Sequence, residues 1–159
     1  MSLTHKHIVA YRKIIKANYE CALILEDDVI LSDNFMPILD RYMTEVPKDY
    51  EMLFIGSGCN LHIHPHLLVP NKHIYLKDIY PSSWGGDGGT RCTDSYIVSK
   101  AGATKICNYI DNLTTKISLP TDWWMNEVIR ACTLTIYWAE PTIVIQGSQV
   151  GKYVSSTSA

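Results

Sequence analysis

No run of apolar residues in this chain approaches the ~18 needed for a membrane-crossing helix, so no membrane span is expected. No block of basic residues is present either, and the formal net charge is −2. A general nucleic-acid binder needs a concentrated basic face, so no nucleic-acid partner is expected; a nucleotide ligand remains open. CxxC pairs are missing. The five cysteines, at positions 21, 59, 92, 107 and 132, are scattered and odd in number. They read as reduced thiols rather than a disulfide framework. There is no GxxxxGK[ST] phosphate-binding loop. The opening "MSLTHKH" leads into an amphipathic basic segment rather than the apolar core of a signal peptide, so a cytoplasmic location is expected. Internal repeats and long low-complexity linkers are also lacking. The 159 residues are therefore expected to form a single domain over 1–159, long enough for a sizeable core.

What is present is an alternation of helical and strand-like segments. Thr4 is placed to cap a helix running to about Tyr19, with Ile8, Tyr11, Ile14 and Ile15 on one face. "CALILE" is short and uniformly apolar, which predicts a strand buried on both faces, as in a parallel sheet. "SDNFMPILDRYMTEV" predicts a helix capped by Ser32 or Asp33. "YEMLFIG" predicts a second buried strand, and "HIYLKDIY" alternates like a more exposed one. "SSWGGDGGT" reads as a flexible loop, or as one whose glycines permit close backbone approach to a ligand. "DSYIVS" is strand-like and leads into a helix from about Lys100 to Asp111. "PTDWWMNEVIRAC" predicts a short helix opened by Thr121 or Asp122. "TIYWAEPTIVIQ" is strand-like and broken at Pro141, and the polar tail "GKYVSSTSA" is expected to fray. Strands alternating with helices indicate an α/β class.

Three groups of residues carry chemical potential. The first is "ALILEDDVIL", in which Glu26, Asp27 and Asp28 follow an apolar strand. Ligands of open α/β sheets bind beyond the carboxyl ends of strands. On an extended chain Glu26 and Asp28 share a face and Asp27 faces away, unless the chain turns there. Two carboxylates on one side suit a hard divalent cation that also takes phosphate oxygens; a helix N-terminal acid or a solvated acidic turn is the bland alternative. The second group is "HIHPH", with His62, His64 and His66. Pro65 interrupts the strand that would align these as zinc ligands, and a polar surface loop is the favoured reading. The third is "PTDWWMNEV". Asp122 is placed to cap a helix. Trp123 and Trp124 diverge by about 100° on that helix, so one can pack inside while the other lines a groove. Aromatic faces beside acids are a usual way to hold sugars.

As an ordered set, "SLTHKHIVAYRKII", "ALILEDDVIL", "YEMLFIG", "CTDSYIVSKAGATKI", "LPTDWWMNEV" and "AEPTIVIQGSQVGKYVSS" resemble glycosyltransferase family 25. That family includes bacterial lipooligosaccharide galactosyltransferases and collagen hydroxylysine galactosyltransferases. The resemblance implies a GT-A-like fold: a mixed, mostly parallel sheet flanked by helices. It implies a UDP-sugar donor, most often UDP-galactose, a saccharide or hydroxylysine acceptor, and Mn²⁺ or Mg²⁺. By that resemblance Glu26, Asp27 and Asp28 bind the donor and its cation, with Glu26 and Asp28 as the metal ligands. Asp122 matches the acid of the later Pro-x-Asp block and is the implied catalytic base, with Asp94 in reserve. The implied reaction is an inverting displacement at the anomeric carbon. Family members usually carry several tens of residues before the "SLTHKH" block, which supply a first strand. The expectation here is a domain shortened at its N-terminus, with an exposed sheet edge that invites a homo-oligomeric partner. Two other readings stay open. One is a non-catalytic relative serving as a carbohydrate-binding or structural module. The other is a phosphoacceptor domain, which "YEMLFIGSG" disfavours by offering glycine and serine where a central aspartate is needed.

Overall fold

The computed structural model describes residues 2–82 and 84–153. The expected fraying at 154–159 and the Ser83 position of the Gly-rich stretch lie outside the described residues.

The first helix, α1 (Leu3–Ala17), is capped by Ser2, whose Oγ accepts from the His5 amide at 3.3 Å. Thr4 is not the cap. Its hydroxyl is buried and bonds the Thr121 hydroxyl at 2.8 Å, tying α1 to a helix more than a hundred residues away. Asn18 adopts the left-handed conformation and stops α1 at Ala17, before Tyr19. Helix α2 (Phe35–Glu45) follows Asn34 rather than Ser32 or Asp33, and the Ser32 carbonyl accepts from the Phe35 amide. Helix α3 (Lys100–Asp111) lies where the pattern placed it, and Ser99 Oγ caps it by accepting from the Gly102 amide at 3.1 Å. Helix α4 (Thr121–Ala131) starts directly after Pro120, which puts Asp122 inside the first turn.

The main sheet contains β1 (Cys21–Leu25), β3 (Met52–Phe54), β4 (Ile74–Lys77), β5 (Ser95–Ser99) and β6 (Ile136–Ala139), in the order β1-β5-β3-β6-β4. A small second sheet joins β2 (Val29–Leu31) to β7 (Val144–Gln146). The mixed α/β class stands, with helices flanking the sheet as in GT-A-like folds. The expected parallel predominance does not. Only β3 and β6 pair in parallel, while β1–β5, β3–β5 and β4–β6 are antiparallel. The reason lies in the connections. A parallel neighbour needs a long crossover, usually a helix. β4 and β5 are each entered from irregular chain, so both run opposite to β1, β3 and β6. Buried apolar strands of either direction look alike in sequence.

Neighbouring residues of the central strands feed two cores. Met52, Phe54, Tyr96 and Trp138 pack with residues of α1, α3 and α4. Leu53, Ile55, Ile97 and Tyr137 pack with Phe35, Leu39 and other residues of the α2 side. β1 is an edge strand, not one buried on both faces. Ala22 and Ile24 pack inward, but Leu23 and Leu25 are 36% and 38% exposed. β4 forms the other edge with unexpected polarity: Leu76 faces outward and Lys77 is buried against the faces of Trp84 and Trp138, at 4.8 and 5.4 Å.

Candidate active site

β1, β3 and β6 point the same way, so their carboxyl ends meet at one rim of the sheet, where β5 begins. This rim is where ligands bind in open α/β sheets. Glu26 leaves β1 there, and its amide donates to the Asp94 carbonyl at 2.9 Å. Its carboxylate accepts from the Thr93 hydroxyl at 2.7 Å and lies 3.7 Å from His7 Nε2. His7 Nδ1 is bonded to the Tyr96 hydroxyl at 2.6 Å, and Tyr96 to the Tyr11 hydroxyl at 2.5 Å. A buried polar chain thus runs from Tyr11 through Tyr96 to His7, whose Nε2 faces the Glu26 carboxylate without a hydrogen-bond partner among the described residues.

Asp94 is 1% exposed. Oδ2 accepts from the Ser95 hydroxyl at 2.8 Å, whereas Oδ1 is buried with no hydrogen-bond partner among the described residues. Burial raises its pKa from 3.8 to about 6; the Ser95 hydrogen bond opposes the rise and the nearby Glu26 charge adds to it. Gly56 makes room for this acid: a Cβ there would fall 2.2 Å from Asp94 Oδ2 and 2.1 Å from Ser95 Oγ. The raised pKa has a consequence for stability. Between 3.8 and about 6 the folded chain holds a proton that the unfolded chain has lost. The contribution of Asp94 to stability is therefore fully present below that window and is lost as pH rises through it, by about 2–3 kcal/mol. Melting curves from pH 4 to 7 should show this decline. Asp94→Asn should flatten it, and an unchanged slope in that variant would exclude Asp94 as its source.

The three adjacent acids do not act as a unit. A turn at Asp27–Asp28 breaks the alternation expected of an extended chain. Glu26 and Asp27 both line a groove between α1 and β1, together with His7 and Lys6. Asp28 turns the other way. Its Oδ2 accepts from the Ser148 hydroxyl at 2.6 Å, and its carbonyl from the Gly147 amide at 2.7 Å. Oδ1 of Asp28 is buried and, among the described residues, unpartnered. No group of three or more His, Cys, Asp or Glu side chains able to hold a metal ion occurs among the described residues.

Asp122 lines a cleft shared with Cys92 and Trp123, distinct from the groove lined by Glu26 and Asp27. One carboxylate oxygen accepts from the Trp123 amide at 2.9 Å. Cys92 is electrostatically close to both Asp94 and Asp122, and burial pushes its thiol pKa up. Its Sγ is 3.2 Å from that of Cys59, and all five cysteines are free thiols. His62 sits beside Glu140 at 3.2 Å and the His64 ring stacks on His66, so "HIHPH" is a polar loop, as expected.

Sequence reasoning missed His7, Thr93, Gly56, Ser148 and Arg91. His7 left a usable trace: it shares the apolar face of α1 with Tyr11 and Ile14, where a polar ring must find partners. Arg91 directly follows the Gly-rich stretch, whose described residues form a packed wall rather than a flexible loop. Arg91 is fully buried, and a Cβ on Gly85 would fall 2.6 Å from the Trp138 ring.

The profile of glycosyltransferase family 25, described as an LPS biosynthesis protein family, matches residues 4–125. The chain belongs to glycosyltransferase family 25. The match takes in the acidic turn, Asp94, Asp122 and Trp123. The family 25 chain is also 25% identical over 153 residues to the lipooligosaccharide biosynthesis protein lex-1 of Haemophilus influenzae, covering 92% of this chain and 48% of that protein. It thus spans about half the length of this curated relative. Among the described residues no helix is long and apolar enough to cross a membrane.

Proposed function

We propose that this domain transfers a hexose, galactose foremost, from a UDP-sugar to a hydroxyl of a saccharide or hydroxylysine acceptor, with inversion and with Mn²⁺ or Mg²⁺. The observation that carries the reading is the buried Oδ1 of Asp28, unpartnered among the described residues and placed on the acidic turn beyond the carboxyl end of β1. An acceptor-only oxygen in that setting fits a hard cation. Glu26, already bonded to Thr93, fits less well as a full ligand and better as a fixed neighbouring charge. A lone carboxylate is chemically sufficient where the donor's phosphates supply further oxygens, as is usual for such ions. When bound, the cation would offset the negative charge growing on the departing diphosphate.

The protein groups then divide the work. The acceptor oxygen forms its bond to the anomeric carbon on the face opposite the diphosphate. The anomeric carbon–oxygen bond breaks, and its electron pair leaves with the UDP. The acceptor proton passes to a carboxylate. Geometry comes before pKa in choosing that base, and Asp122, partly exposed in a cleft, is reachable where Asp94 is not. Glu26 is positioned by the Asp94 backbone carbonyl and the Thr93 hydroxyl, while the Asp94 carboxylate itself bonds Ser95. Five free thiols favour a reducing, cytoplasmic compartment. The exposed edge of β1 favours association with a second copy.

The test is calorimetric titration of UDP with and without Mn²⁺. Binding should require the metal and disappear in Asp28→Ala; no UDP affinity under either condition would sink the proposal. A second reading has one observation in its favour, the exposed Trp123 beside acids. It makes the domain a carbohydrate-binding module without turnover, and it predicts that UDP-galactose releases no more UDP than with an Asp27→Ala/Asp28→Ala double variant.

A further inference from the structure

A cleft of about 670 Å³ opens between α4, the Gly-rich wall and the turn at Cys59, within the size range of small-molecule sites. Its most distinctive side chain is Trp123, 64% exposed, next to Trp124, which is 4% exposed and packed in the core. Tyr80, 60% exposed, borders the same cleft. Large exposed aromatic rings gathered at one concavity mark ligand-binding grooves. Around them stand three carboxylates, of Asp87, Asp122 and Glu127, and one cation, Arg130. The wall is preformed: the Asn126 side-chain oxygen accepts from the Thr90 amide at 3.0 Å, and a Cβ on Gly88 would fall 2.4 Å from that same oxygen.

This chemistry selects a ligand class. Carboxylates in excess over cations repel phosphate, sulfate and sialic-acid-type groups. They accept hydrogen bonds from hydroxyls. Aromatic faces, negative at the centre, take the C–H face of a pyranose ring. We propose that this cleft binds a neutral sugar, the terminal pyranose of the acceptor saccharide, with Trp123 as the stacking platform. Calling that sugar an acceptor rests on the transferase reading; the binding itself does not. Asp122 lines the cleft, so a bound hydroxyl is delivered next to the carboxylate assigned as base.

The four tryptophans give a direct assay through their indole N–H signals in a ¹⁵N-labelled sample, without donor or metal. Lactose, methyl β-galactoside and methyl β-glucoside are titrated in turn. The Trp123 signal, assigned by its loss in Trp123→Phe, should shift saturably with at least one of them while Trp124 and Trp138 stay still. Trp123→Ala should weaken that sugar about tenfold, and glucose 1-phosphate should not compete. The proposal is overturned if none of the three sugars moves the Trp123 signal, if all four indoles move alike, or if glucose 1-phosphate competes as well as the neutral sugars. Unmoved Trp124 and Trp138 signals in the variants report an intact fold. Sugar binding that survives a failed UDP titration removes the transferase reading and leaves this cleft; metal-dependent UDP binding without a Trp123 response does the reverse.

Discussion

Arg91→Met should destabilise the fold by about 3–5 kcal/mol, read as a lowered urea midpoint. The Arg91 side chain is fully buried. Its guanidinium donates to the Leu61 carbonyl at 2.6 Å, the Ala139 carbonyl at 2.7 Å and the Glu140 carboxylate at 2.6 Å. It also lies 4.7 Å from the centre of the Trp138 ring. Burial lowers the Arg91 pKa and the Glu140 charge works against that, so the group stays a cation. Removing it leaves Glu140, whose side chain is 12% exposed, with His62 and a long hydrogen bond from the Ile63 amide as its remaining partners. It also leaves two carbonyls without this donor. An unpaired buried charge costs more than the pair contributes, so Arg91→Met/Glu140→Leu should recover much of the loss. A single variant within about 1 kcal/mol of the parent would show that the pair is not structural.

Asp122→Asn should lower turnover about 10²–10⁴-fold, the usual contribution of a positioned general base, while metal-dependent UDP binding stays unchanged. The amide keeps the size of the side chain and its bond to the Trp123 amide, but it cannot take a proton. Release of UDP from UDP-galactose, with and without a saccharide acceptor, measures this. Asp28→Ala should show the opposite split, losing donor binding first. Turnover by Asp122→Asn within about threefold of the parent would move the base elsewhere. Activity of the parent well above the Asp27→Ala/Asp28→Ala double variant would exclude a purely carbohydrate-binding role.

Much of the local structure was legible. Helix α3, the place of the other helices and the strands around "ALIL" and "MLF" followed from apolar periodicity and from the short apolar runs. So did the divergence of Trp123 and Trp124. The misplaced helix starts have a common cause. Ser2, Asn34 and Pro120 each stand beside other residues able to cap, and the choice among them depends on where the chain enters from. Thr4 shows this well: a good cap in isolation, it is used instead to bond Thr121 across the molecule.

The sequence by itself determined the α/β class, the family and the acidic turn beyond a strand, because these rest on residues close together in the chain. Only the tertiary structure decided what the acids do. The turn at Asp27–Asp28 sends Glu26 to Thr93 and His7 and Asp28 to Ser148, partners between 19 and 120 residues away. Strand direction was decided the same way, by the entry of β4 and β5 from irregular chain and not by their apolar content. The reason is physical. Periodicity encodes which face a residue buries, while the partner of a buried polar group is set by register and packing between segments that no local pattern records.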